Sequence, residues 1–297
     1  MSEEQVPKQG RLGQHRPFAT FWNGRPLGII EKLSLGSFVT RGYHVQLYSF
    51  DSIEVPDGVQ LMDAAEILPR NQLFPNPRER RSFAGFSNIF RYAILKKKKV
   101  IWTDADVLCW NWNLGSRDYI FGWQDAGSVI NGAVLAAPQN STLLHNLIGE
   151  ASTVNTERLR WGQLGPFLIT NEVRKLGMEH IALPRISLYP IPPHQIWRVM
   201  APSQTASLEE ELVDSSALHL WHSVMSSAAP ELDHALPPKG SLLANLAERY
   251  GGPGLSRSHL PAEWGESIVR QRLERFNRIG PRIRRRLSNM LTPRASG

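Results

Sequence analysis

Residues 100–109, VIWTDADVLC, set two carboxylates, Asp104 and Asp106, two positions apart at the end of an apolar run. Alternate residues of a strand point the same way, so this spacing is expected to turn both carboxylates toward one hard cation. A divalent ion held there can bridge the phosphates of a nucleotide and offset charge on a departing diphosphate. The alternative is an exposed strand end at which Asp favours a turn. D-x-D by itself does not choose between them, so the surrounding elements must.

Those elements predict a layered α/β fold. PFATFW (17–22) reads as a first buried strand, and residues 24–42 as a turn and helix ended by Gly42. YHVQLYSF (43–50) alternates like a second strand. Over 82–99, Phe83, Phe86, Phe90, Ala93 and Ile94 recur at three- to four-residue spacing, and four lysines follow where a helix C-terminus favours cations. VIW is then a short apolar run fit for a central parallel strand, and the D-x-D falls at its carboxyl end, where open α/β sheets bind ligands. GSVINGAVLAAP (127–138) predicts another strand, residues from Ser141 a capped helix, and ALHLWH (217–222) a late strand.

Composition narrows the class. The chain has 297 residues, 41% hydrophobic and 21% charged, the balance of an ordinary globular protein. A single cysteine, Cys109, excludes an intrachain disulfide and any two-cysteine metal or redox site, and suits a reducing compartment. The polar first residues lack the apolar core of a signal peptide, and no apolar run is long enough to span a bilayer, so the expected address is the cytoplasm. The formal charge of +7 lies in one segment: residues 270–286 hold eight arginines against Glu274, and the rest of the chain balances 26 bases with 26 acids. Residues 1–15 read as disordered, 16–228 as one catalytic domain and 229–297 as an extension with a basic amphipathic helix.

The order FRYAIL, VIWTDADVLCW, INGAVLAAP, GQLGPFLIT and LHLWH resembles the GT-A glycosyltransferases with a DXD sugar-binding region, a group that includes yeast outer-chain mannosyltransferases, α-1,4-galactosyltransferases and bacterial polysaccharide enzymes. The likeness runs from about Phe18 to Met225, and its specific part is FRYAIL…VIWTDADVLCW. It implies a GT-A (Rossmann-like) fold, with a mixed, mostly parallel sheet and helices on both faces. It also implies a nucleotide-sugar donor, a glycan or lipid-linked acceptor, Mn²⁺ or Mg²⁺, and transfer with retention.

Under that resemblance Asp104 and Asp106 bind metal and donor, and Arg91 faces the donor sugar or its diphosphate. Asn131 and Gly132 stand beside the sugar, and His219 is the late metal ligand, with His222 as its rival. Trp22, Gly24 and Tyr48 frame the nucleotide base; Gly165 and Pro166 match a Gly-Pro element near the acceptor. Gln163 and Asp125 are candidates for groups near the reacting carbon. Two departures stand out. Ser87-Asn88 replaces the family's Ser-Asp ahead of the arginine, which removes a charge and bears on donor choice. Lys96–Lys99 replaces a Gly-Gly turn before the strand.

Two other readings remain. A haloacid-dehalogenase-like phosphatase also uses D-x-D after an apolar strand, but it wants Thr or Val where this chain has Leu108. A non-catalytic carbohydrate- or nucleic-acid-binding protein could use the arginine segment, nucleic acid being the weaker partner. Trp264, Ile268, Leu273, Phe276, Ile283 and Leu287 recur among those arginines at near-helical spacing, a stripe suited either to an anionic membrane surface or to packing on the domain.

Overall fold

The structure, a computed structural model, describes residues 16–77, 82–114, 117–251 and 258–278. The chain opens with β1 (Phe18–Phe21), α1 (Ile29–Thr40), β2 (Val45–Ser49) and β3 (Val59–Asp63). The next segment is α2 (Ala84–Lys97), β4 (Ile101–Thr103), β5 (Val107–Cys109), β6 (Ile120–Trp123) and β7 (Ile130–Ala136). Helices α3 (Thr142–Thr153), α4 (Pro166–Lys175), α5 (Arg185–Leu188) and α6 (Thr205–Glu211) follow. Last come β8 (Ala217–His219), α7 (His222–Ala228), α8 (Leu242–Tyr250) and α9 (Ala262–Arg278).

Six strands form one sheet in the order β3-β2-β1-β4-β7-β6. The pairs β2–β3, β1–β2 and β1–β4 are parallel, while β4–β7 and β6–β7 are antiparallel. Strand alternation divides the core between the two faces. Ala19, Phe21, Tyr48 and Trp102 meet α2, α3 and α4 on one face, through Phe86, Phe90, Leu144 and Ile169. Phe18, Val45, Leu47 and Ile101 meet α1 on the other, through Leu35 and Phe38. The expected mixed, mostly parallel sheet with helices on both faces is the one observed, and it is consistent with the GT-A type of fold.

The predicted strands and helices fall where periodicity put them, with ends trimmed by a few residues. Gly42 ends the α1 region at φ +81°, and the Ser141 hydroxyl caps α3 by accepting from Leu144 N–H at 3.3 Å. Lys96–Lys99 needs no glycine. Lys98 leaves α2 in extended backbone, and its N–H still bonds the Ile94 carbonyl at 2.7 Å.

A third apolar cluster joins α1 to the C-terminal part of the chain. Ile29, Ile30, Leu33, Leu108 and Leu218 pack with Trp197, Met200, Leu242, Leu246 and Val269. Residues of α8 and α9 therefore share a core with α1, β5 and β8. Within the basic amphipathic stretch, Trp264 and Ile268 are partly buried against this cluster, and Glu266 accepts from Ser203 N–H and Oγ at 2.9 and 2.7 Å. The first part of the stripe is thus covered by the domain; Ile283 and Leu287 lie outside the described residues, as do residues 1–15. No helix among the described residues is long and apolar enough to cross a membrane.

The α1–α8 crossing depends on Gly36, where a Cβ would run into the backbone carbonyl of Tyr250. Gly36→Ala must push the helices apart, so it is expected to cost about 1–3 kcal/mol. Urea denaturation checks this: the midpoint should fall while the slope stays unchanged.

Candidate metal and donor site

Asp104 directly follows β4, with its N–H bonded to the Ala133 carbonyl at 2.7 Å. The backbone then turns, Val107 N–H reaching the Asp104 carbonyl at 3.1 Å, before β5 begins. This corrects the sequence expectation: the two carboxylates converge through a turn between two strands, and strand alternation is not what aligns them. The antiparallel β5–β8 pair supplies the third group. Its register sets His219 opposite Val107, one residue after Asp106. His219 Nε2 lies 3.2 Å from Asp106 Oδ2.

One ligand atom from each of Asp104, Asp106 and His219 lies within 4.8 Å of the others. Both carboxylates are half-committed to the protein. Asp104 Oδ1 accepts from Arg91 at 2.6 Å and from the Trp102 indole N–H at 2.7 Å. Asp106 Oδ2 faces His219 and accepts from His222 N–H at 2.8 Å. The second oxygen of each carboxylate makes no hydrogen bond among the described residues. Two hard oxygens and an imidazole suit a divalent cation, and the nitrogen favours Mn²⁺ over Mg²⁺, which prefers oxygen and water. The residues present therefore fit the expected metal. Burial alone would raise the Asp106 carboxyl, but the His219 imidazole and the His222 N–H outweigh it and hold it well below the usual carboxylate range. His219 Nδ1 is buried without a hydrogen-bond partner among the described residues; the ring is held by Asp106 at Nε2 and by the tilted Trp221 ring, 4.0 Å away centroid to centroid. Trp221 is the only non-glycine residue with positive φ among the described residues, at +50°, and its indole N–H is anchored to the Ile191 carbonyl at 2.9 Å. Backbone held in that region costs about 1–3 kcal/mol and clusters at functional sites.

Arg91 is 4% exposed and bridges α2 to the turn, donating to Asn88 Oδ1 at 3.0 Å and to Asp104. Its guanidinium carbon lies 5.2 Å from the Trp102 ring centroid. Gly132 is required beneath it, because a Cβ there would strike Arg91 and the Ile169 side chain. Asn88 also donates to the Ala84 carbonyl at 2.8 Å and lies against Gly165, so the Gly-Pro element at the start of α4 abuts the arginine's partner. Ser87 is half-buried beside it, and its hydroxyl makes no hydrogen bond among the described residues.

Other candidates are placed differently. Asn131 donates to Gln124 Oε1 at 2.9 Å and accepts from Ala133 N–H at 2.7 Å, so its side chain shapes the β7 edge. Gln163 stands on the exposed loop before α4 with its Oε1 accepting from Arg160 N–H at 3.1 Å; no hydrogen bond brings it to the carboxylates. Asp125 closes a turn by accepting from Ser128 and Val129 N–H. Tyr48 is core, 1% exposed and 5.7 Å from the Phe90 ring, and does not frame a base. The Trp22 ring lies 6.0 Å from that of His222, and Gly24 turns at φ +86° against the Phe83 ring. Cys109 is buried, with its thiol pushed up to about 12 by desolvation, and offers no nucleophile.

Sequence reasoning missed Trp102, Tyr189, Arg25 and Glu31. The buried Tyr189 hydroxyl donates to the Asn131 carbonyl at 3.2 Å and accepts from Val134 N–H at 3.3 Å, with its ring 5.9 Å from His219. Glu31 meets His222 Nδ1 at 2.6 Å. Burial by itself would lower the His222 imidazole, and the Glu31 carboxylate outweighs it, so its pKa lies above the ordinary value. This partner draws the His222 ring toward α1, and the cluster of candidate ligands contains His219 and not His222. The Gly28–Glu31 spacing, an acid in a helix's first turn, was the visible signal for Glu31.

No protein-family model matches the chain, and no curated protein matches it. Among solved structures it is similar to one described as "PaToxG Glycosyltransferase", with 15% identity and a TM-score of 0.41, over 71% of this chain and 87% of that one.

Proposed function

We propose that this protein is a metal-dependent glycosyltransferase that moves a hexose or N-acetylhexosamine from a nucleoside-diphosphate sugar to a glycan or lipid-linked acceptor, with retention. The observation that carries this reading is the convergence of Asp104, Asp106 and His219 at the carboxyl end of β4, with Arg91 clamped onto the first acid. Asp104, Asp106 and His219 would hold Mn²⁺ or Mg²⁺, which supplies positive charge against a departing diphosphate. Arg91 fixes the Asp104 carboxylate in one orientation and lends the site a planar guanidinium. The sequence resemblance to DXD glycosyltransferases supports the choice of sugar transfer over other metal chemistry. A phosphatase would need Asp104 as a free nucleophile, whereas one of its oxygens already accepts two hydrogen bonds. The arginines of 270–286 are proposed to draw the chain to an anionic membrane surface carrying the acceptor; their charge supports this.

A screen of nucleotide sugars tests the proposal by following release of the nucleoside diphosphate. Release with Mn²⁺, its loss in chelator and its return on adding metal are expected for at least one donor. Phosphate release from simple monoesters, with no nucleotide sugar consumed, would favour the phosphatase instead.

A further inference from the structure

A second charged cluster lies where β1 runs into α1, beside the candidate metal ligands but sharing no side chain with them. Glu31 is 1% exposed. Its Oε2 accepts from Gly28 N–H at 2.8 Å, closing the first turn of α1, and its Oε1 faces Nδ1 of His222 at 2.6 Å. The other ring nitrogen of His222, Nε2, lies 2.7 Å from Nη2 of Arg25. Glu31 and Arg25 thus hold the two ring nitrogens of His222 from opposite sides, so the imidazole links the buried carboxylate to the exposed guanidinium. The turn is fixed from the other side as well. The Arg25 guanidinium carbon lies 4.9 Å from the Trp22 ring centroid, and the Trp22 indole N–H donates to the Arg25 carbonyl at 2.8 Å.

Helix capping accounts for Oε2 of Glu31 but not for the contact its Oε1 makes with His222. Burying a carboxylate is costly, and an exposed arginine requires no buried anchor. Arg25 has no carboxylate partner among the described residues, whereas Arg91 is paired with Asp104 and Glu31 with His222. Its Nε and Nη1 make no hydrogen bond among the described residues, which leaves a charged fork free for anionic oxygens. The same His222 ties the cluster to the metal ligands, because its backbone N–H bonds Asp106 Oδ2 at 2.8 Å.

We propose that Arg25 binds a phosphate of the donor's diphosphate and that the Glu31–His222 pair is its positioning device. This rests on the transferase reading above, and it gives the site a specific cation for the anion that the metal would address from the other side.

Calorimetric titration with UDP and with GDP in Mn²⁺, alongside Mn²⁺ titration followed by electron paramagnetic resonance, tests it. Arg25→Ala is expected to weaken the bound nucleoside diphosphate about 10- to 100-fold, the loss typical of a charged hydrogen bond, while Mn²⁺ affinity stays unchanged. Arg25→Lys, which keeps the charge without the fork, should fall between. Glu31→Gln should weaken the nucleotide in the native background and have no further effect on it in Arg25→Ala, because it acts through the arginine. In turnover, Arg25→Ala should raise donor KM more than it lowers kcat. Unchanged nucleotide affinity in Arg25→Ala would overturn the phosphate assignment, and an equal effect of Glu31→Gln in both backgrounds would overturn the positioning role. Failure of the native protein to bind Mn²⁺ or either nucleotide would instead reject the transferase reading beneath it. Arg25 is exposed, so its variants report on binding even if Glu31→Gln lowers stability.

Discussion

Asp104→Asn and Asp106→Asn are each expected to lower turnover at least about a hundredfold while leaving a folded protein. Altering partners one shell out from a metal commonly costs ten- to a hundredfold, and these residues would touch the ion directly. The amide keeps the carboxylate's shape and removes its charge. The two variants should differ in a telling way. In Asp106→Asn the amide oxygen can still accept from His222 N–H, so the β5–β8 junction should hold, and the stability lost is that of the missing charge beside His219. In Asp104→Asn the amide oxygen must still accept from both Arg91 and Trp102, and a flipped amide would oppose two donors, so the stability loss should be the larger. Steady-state rates across a Mn²⁺ series, with circular-dichroism melts of each variant, check both statements. Full activity of Asp106→Asn, or of the native protein in chelator, would reject the metal-dependent reading.

The sheet was legible because its strands are short apolar runs with recognisable ends. Phe18–Phe21, Val45–Ser49 and Ile130–Ala136 all fall within segments that the residue pattern alone marks out. α2 was equally plain, since its phenylalanines recur at helical spacing. The D-x-D position was also legible, but its geometry was not. Turn conformation at 104–106 depends on the Ala133 carbonyl and on β5, a three-residue strand too short to carry a periodicity. β3 was hidden because little of this edge strand is buried: Val59 is, whereas Gln60 and Leu61, on opposite faces, both stand exposed. His219 could be named only through the resemblance. Its meeting with Asp106 depends on the pairing of β8 with β5 across more than a hundred residues, which no local pattern records. For the same reason sequence reasoning passed over Glu31, whose second oxygen reaches a histidine 191 positions further on.

The arginine at the centre of the site yields the other large effect. Arg91→Lys is expected to lower turnover about 10- to 100-fold and to cost about 1–3 kcal/mol in stability. Arg91 satisfies Asn88 and Asp104 at once with two arms of one planar group, which the single ammonium of lysine cannot reproduce. The partly exposed Asp104 keeps some access to water, so its loss of a partner costs less than that of a fully buried ion. Gly132→Ala approaches the same group from beneath, since its new Cβ would fill the space the guanidinium occupies. If both changes act by displacing one guanidinium from Asp104, their effects on turnover must be strongly non-additive, and the double variant should be little worse than the poorer single one. Additive losses would mean that Gly132 acts by some route other than Arg91. Turnover of Arg91→Lys equal to the native rate would remove the arginine from the donor site altogether and leave it a helix-to-turn brace.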